Sequence, residues 1–216
     1  MENYRRTNVI NEIANSVTHG IGLLLSIAAL VLLNVFANIY GDVWHIVSFS
    51  IYGSTLVLLY LASTLYHSIQ KPRLKYIFRI IDHSAVYLLI AGTYTPFMLV
   101  TLRGTIGWIM FGVIWGLALA GILYKSFFIN RHVVISTLFY LAMGWLIVFS
   151  IGGLIDNLPR NGIILLGAGG LSYTLGLLFY AGRERLLMHA VWHLFVLGGS
   201  ICHFFAILFY FLPYKG

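Results

Sequence analysis

Charge is what this chain is short of. Of its 216 residues only 9% are charged and 60% are hydrophobic, whereas a soluble domain carries about 25% charged residues. That excludes a soluble globular protein and points to the membrane. Cysteine is nearly absent: the single Cys202 lies inside an apolar run, which excludes a disulfide framework and a multi-cysteine metal site. No apolar run holds a lysine, and a retinal protein needs a Schiff-base lysine inside a span. No internal repeat or low-complexity tract is evident. A cleavable signal peptide is not expected, because the first sixteen residues are polar and the next run is too long for an h-region. No appended soluble domain is expected either. The net charge of +7 does not argue for nucleic acid, because the basic residues sit in short loops rather than in a patch with its own fold.

What is present is a series of apolar runs. The sequence predicts an all-α membrane protein, a bundle of seven transmembrane helices. The expected spans are Val17–Phe36, Val43–His67, Ile80–Val100, Thr105–Tyr124, Val133–Leu154, Gly162–Ala181 and Leu186–Leu212. Each has about 20 or more mostly apolar residues, enough to cross a hydrocarbon core about 30 Å thick. Residues 1–16 read as a cytoplasmic segment in which a helix begins near Asn8, 17–212 as one transmembrane domain, and 213–216 as a short external tail. SIQKPRLKYIFR reads as a basic loop. Pro72, Pro159 and Pro213 fall outside the spans, where the missing donor costs little. Glycines such as Gly112, Gly116 and Gly121 read as close-packing positions.

Lysine and arginine set the expected orientation. With the N-terminus in the cytoplasm, Arg5, Arg6, Lys71, Arg73, Lys75, Arg79, Lys125, Arg131, Arg183 and Arg185 fall inside, and only Arg103, Arg160 and Lys215 outside. Seven spans then place the C-terminus outside. A G-protein-coupled receptor has the reverse orientation.

Against that topology, several chemically active side chains share one depth. The run LLMHAVWHLFVLGGSICHFF carries His189 and His193 four residues apart, which on a helix places both imidazoles on one face. Such a pair is a common start to a zinc site, though aromatic-rich membrane helices also use histidine for packing. His67 ends the second span and Asp82 opens the third, so His67, Asp82, His189 and His193 are expected within the inner few turns of three helices. Three neutral imidazoles and a water make a tetrahedral zinc site with one open position. Asp82 suits a general base or an acceptor that orients the water or an imidazole; its bland alternative is an ion pair with Arg79 at i,i+3. A carboxylate just inside a span is costly, which marks it as a functional candidate. Ser63 precedes His67 by one turn and could donate to a water or a substrate carbonyl, or bond back to its own helix.

The other histidines sort differently. His203 lies fourteen residues beyond His189, about 21 Å along a helix, and reads as a hydrogen-bonded interior group. His45, beside Trp44, reads as interfacial at the outer face. His83 points about 100° away from Asp82, and His132 is placed in a loop. Glu12, Asn15 and His19 share one helix face and read as supporting groups, capping the site or binding a neighbouring helix.

Ser63-x3-His67, Asp82 and His189-x3-His193 resemble the motifs of the progestin and adipoQ receptor family. NEIANSVTHGIG and IDHSAVYLLIAGTYTP resemble its bacterial branch, the hemolysin III proteins, over nearly the whole chain. The resemblance implies seven membrane helices with a cytoplasmic N-terminus, and zinc held by His67, His189 and His193 with Asp82 and Ser63 nearby. The wider superfamily includes alkaline ceramidases and adiponectin receptors, which implies hydrolysis of a lipid amide or ester near the inner leaflet of a bacterial plasma membrane. The partners expected are the lipid bilayer and a lipid substrate entering sideways between helices. Two other functions stay open: a receptor-like or regulatory protein with structural zinc, and a pore-forming hemolysin, for which no span shows a polar stripe.

Overall fold

The computed structural model describes residues 2–129, 131 and 133–212, with side chains from residue 8 onward except at 133. His132 and the tail at 213–216 therefore lie outside the described residues. No strand occurs among the residues described. Eight α-helices make seven membrane-length spans: α1 (Glu2–Tyr40), α2 (Val43–Ser68), α3 (Pro72–Pro96), α4 (Thr105–Phe128), α5 (Val133–Trp145), α6 (Ile151–Asn157), α7 (Arg160–Ala181) and α8 (Met188–Tyr210). α3 runs on into a π-helical turn at Phe97–Thr101, and a 3-10 turn at Leu146–Ser150 joins α5 to α6 within the fifth span.

The polar start of the chain is already helical from Glu2. α1 continues unbroken for 39 residues, about 58 Å at 1.5 Å per residue, far more than the bilayer core needs. Val9, Ile13, Val17, Ile21 and Leu24 form an exposed apolar stripe, whereas Asn15 and His19 are buried against the bundle. This polar-inward pattern suits a lipid solvent, which offers polar side chains no partners. The basic stretch after α2 is also largely helical, since α3 starts at Pro72 rather than Ile80. Proline at the first helical position loses no bond, because that N–H has no partner inside the helix. α4 extends to Phe128 and so includes Lys125, whose side chain is 1% exposed; the fourth span does hold a lysine, in its last turns.

His45 is packed against protein. It is buried at the start of α2, where Asp42 accepts from the Trp44 and His45 amides in a capping box. The His45 Nε2–H donates to the Phe211 carbonyl at 3.0 Å, pinning the start of α2 to the end of α8.

α1, α2 and α3 pack closely in sequence, α7 packs closely on α8, and α1 also meets α8. α4 lies against α3, while the fifth span makes only sparse contacts with α3, α4 and α7. At mid-depth the Ser200 hydroxyl of α8 binds Tyr60 of α2 at 2.8 Å and Tyr173 of α7 at 2.9 Å. Gly199 lets this knot form: a Cβ there would stand 2.7 Å from the Tyr173 ring.

The break in the fifth span is chemically supported. The Tyr94 hydroxyl of α3 accepts from the Ile147 amide at 2.7 Å and faces the Met143 and Gly144 carbonyls at 2.9 and 2.8 Å. Backbone groups freed from a helix at membrane depth need such a partner. Tyr94→Phe is expected to destabilise the protein by about 1–3 kcal/mol, the cost of leaving buried backbone groups unsatisfied, read as a lower melting temperature in detergent.

Candidate metal centre

Three helix ends meet at the end of the bundle where α1 begins. α2 finishes with His67, α8 starts with His189 and His193, and α3 brings Asp82 nearly three turns after its own N-terminus. One ligand nitrogen from each of His67, His189 and His193 lies within 4.8 Å of the other two. The ring centroids of His67 stand 5.2 Å from both His189 and His193, which are 4.6 Å apart. Zinc–nitrogen bonds of about 2.0–2.1 Å place tetrahedral ligands about 3.3 Å apart, so small side-chain shifts close the group around one ion.

Hydrogen bonds show which ring atoms are available. His67 Nδ1 lies 2.8 Å from the Glu12 carboxylate and 3.4 Å from the Asn15 amide. His193 Nδ1 lies 3.2 Å from the Asn15 carbonyl and 3.1 Å from the Thr18 hydroxyl. The Nε2 atom of His67 is buried with no partner. An imidazole nitrogen so placed carries a cost of about 1–3 kcal/mol unless something binds it. The donor set therefore fits a metal: three imidazoles, two of them engaged through Nδ1 and one with an orphaned Nε2.

Ser63, Asp82, His19, His189 and His193 all line one cavity. Ser63 is 1% exposed, and among the described residues it makes no bond back to its own helix. Asp82 lies 3.4 Å from His83 Nδ1. His83 also lines the cavity, although its angular offset on the helix argued for a different surface. Adjacent residues of α3 reach the same space because the cavity runs along a broad face of that helix, where Asp82 and His83 are followed by Val86, Leu89 and Ile90. The sequence marked His83 only as a weak candidate and did not single out Thr18 or Lys75; the polar face of α1 was the signal that could have found Thr18. His203 is the interior group expected: its Nε2–H donates to the Leu166 carbonyl at 3.3 Å.

The cavity has a volume of about 300 Å³. It runs from these polar groups past Thr93 and Tyr173 toward Leu154 and Ile163 near the opposite end. Its walls are mostly apolar. Gly144 and Trp145 of α5 and Gly167 of α7 both line it and are exposed, so it reaches the bundle surface between these helices. Nothing lies within 4 Å of a Cβ placed at Gly144, Gly167 or Gly170.

A family model described as Haemolysin-III related matches residues 7–204. The chain belongs to the haemolysin-III-related family. It is 52% identical to Hemolysin-3 of Bacillus cereus over 205 residues, covering 95% of this chain and 94% of that protein. It is 53% identical to the Hemolysin-3 homolog of Bacillus subtilis (strain 168) over 199 residues, covering 92% and 93%. A human relative, monocyte to macrophage differentiation factor, is 30% identical over 203 residues, covering 90% and 82%. Membership in this haemolysin-III-related family, with seven apolar helices, makes the chain a multi-pass membrane protein, and the resemblance to the hemolysin III branch stands.

The open rim is directly testable. Gly167→Leu meets no neighbouring atoms and improves helix propensity, so its stability should lie within about 0.5 kcal/mol of wild type in a detergent melt. Gly199→Val should instead cost about 1–3 kcal/mol through overpacking.

Proposed function

We propose that this haemolysin-III-related protein is a zinc-dependent hydrolase of a lipid amide or ester, acting at the inner leaflet of a bacterial plasma membrane. The observation that carries the reading is the shared space: two imidazoles of the three-histidine group, His189 and His193, a carboxylate and a hydroxyl line one mostly apolar cavity that reaches the bundle surface, with His67 beside them. The excess of lysine and arginine at the histidine end supports placing that end, and the N-terminus, in the cytoplasm.

His67, His189 and His193 hold the zinc ion. When bound, zinc supplies Lewis acidity toward a carbonyl and a water whose pKa is lowered to about 7. The apolar wall takes the acyl chain and keeps bulk water away from the reacting end, which strengthens every charge interaction there. The gap between α5 and α7, edged by Gly144 and Gly167, admits the chain sideways from the bilayer. Asp82 accepts the proton of the attacking water and returns it to the leaving amine or alcohol. Ser63 donates its hydroxyl to the substrate carbonyl as negative charge develops there. His83 stands beside Asp82 and holds the carboxylate in place.

Asp82 separates this reading from a purely structural zinc. A metal that only ties helix ends together needs no carboxylate in a cavity open to lipid. The name of the Bacillus relatives points to lysis, but a water-filled conduit needs a polar lining, and this cavity is walled mainly by apolar side chains.

Elemental analysis of detergent-purified protein should find about one zinc per chain, lost in His189→Ala. With a labelled long-chain amide or ester, Asp82→Asn should keep its zinc and lose about 10²–10⁴-fold in turnover, the weight of a general base. Gly167→Trp should slow turnover of long-chain substrates more than short ones. A wild-type protein without zinc, or Asp82→Asn turning over at the wild-type rate, overturns the proposal.

A further inference from the structure

α1 contributes no ligand, yet it touches two of the three histidines of the group, His67 and His193. Its polar face presents Asn11, Glu12, Asn15, Thr18 and His19 along about two turns. Asn11 accepts from the Leu187 amide at 2.8 Å, holding the residue before α8, whose φ of +63° is a left-handed conformation rare for leucine. His19 stacks on His193 with centroids 3.4 Å apart. Asn15 and Thr18 meet His193 Nδ1, and Glu12 meets His67 Nδ1.

We infer that Glu12, fixed by Lys75, is a positioning residue that sets His67 in the metal-binding tautomer, so that α1 determines metal affinity without supplying a ligand. The inference rests on the metal reading but not on hydrolysis. A carboxylate only accepts hydrogen bonds, so the His67 nitrogen at 2.8 Å must donate. The ring proton is thereby placed on Nδ1 and Nε2 is left bare, which is the atom that is buried without a partner. The second Glu12 oxygen receives Lys75 Nζ at 2.8 Å. Lys75 is held in turn: it donates to the Tyr66 carbonyl at 3.3 Å and lies 5.1 Å over the Tyr66 ring. With each oxygen engaged once, the carboxylate cannot turn inward to become a ligand itself.

The same logic holds on the other side of the group. A backbone carbonyl also only accepts, so His193 Nδ1 donates to Asn15 and its Nε2 is left bare. Two of three imidazoles, from two helices, are preset through the same nitrogen by one face of a third helix. Glu12 and Lys75 are both about a quarter exposed, so the ion pair itself contributes little to stability. What it contributes is orientation: partners on the outer nitrogen of a ligand histidine typically change metal affinity 10–100-fold.

The test is cobalt(II) binding by wild type, Glu12→Gln and Lys75→Met in detergent, read by visible absorption and by competition with a chelator, beside melts of the metal-free proteins. Glu12→Gln should bind about 10–100-fold more weakly, with an altered absorption band and a metal-free melting temperature close to wild type. Lys75→Met should weaken binding in the same direction by a smaller factor, and it carries the test if Glu12→Gln does not fold. Either variant binding as tightly as wild type, with an unchanged band, overturns the inference. So does a loss of affinity matched by a drop in the metal-free melting temperature, which marks a scaffold role only. A wild type that binds cobalt without hydrolysing lipid leaves the inference standing and overturns only the hydrolase; a wild type that binds no cobalt overturns both.

Discussion

Buried polar groups in a membrane protein must satisfy one another, and this constraint organises the bundle. α1 turns Glu12, Asn15 and His19 inward and its aliphatic stripe toward lipid. The inward face then meets the histidines at the end of α2 and the start of α8, and Lys75 of α3. Packing of α1 on α2 and α8 is therefore inseparable from construction of the metal group. Without α1, His67 Nδ1 and His193 Nδ1 would face hydrocarbon, and the cost of leaving them there would fall on the same helix ends that bring the three imidazoles together.

The rest of the bundle divides by how tightly it packs. α2, α7 and α8 are tied at mid-depth by Tyr60, Tyr173 and Ser200, with glycine backbones giving the rings room. The fifth span is different. It is broken, held through Tyr94, and thinly packed against its neighbours. A cavity along the bundle needs one wall that does not fill it, and a span interrupted by a 3-10 turn and faced by open glycines is such a wall. Rigid helices thus position the polar groups while a loosely packed helix borders the space beside them.

Much of this was legible in the chain itself. Seven apolar runs, each long enough to cross a bilayer, defined the class of fold, and every one has a helix in place. The spacing of His189 and His193, with His67 and Asp82 at one depth, picked out the polar groups, because helical period and hydropathy together assign both face and level. Boundaries were less legible. The polar start of α1 read as a segment with helix only from near Asn8, and the basic start of α3 read as a loop, yet both stretches are helical. His45 read as an interfacial side chain because no local pattern announces the Phe211 carbonyl that it binds, 166 residues away.

Sequence alone determined that the protein lies in a membrane, how many times it crosses, and which side chains stand at one level, since these depend on composition and on a period fixed by local backbone geometry. Tertiary structure decided the rest. That Glu12 meets His67, that His83 shares the cavity with Asp82, and that the wall between α5 and α7 stays open all depend on how helices rotate about their axes and pack. Those rotations are set by contacts between residues far apart in the chain, such as Tyr94 with Ile147 and Asn15 with His193, which no local pattern encodes.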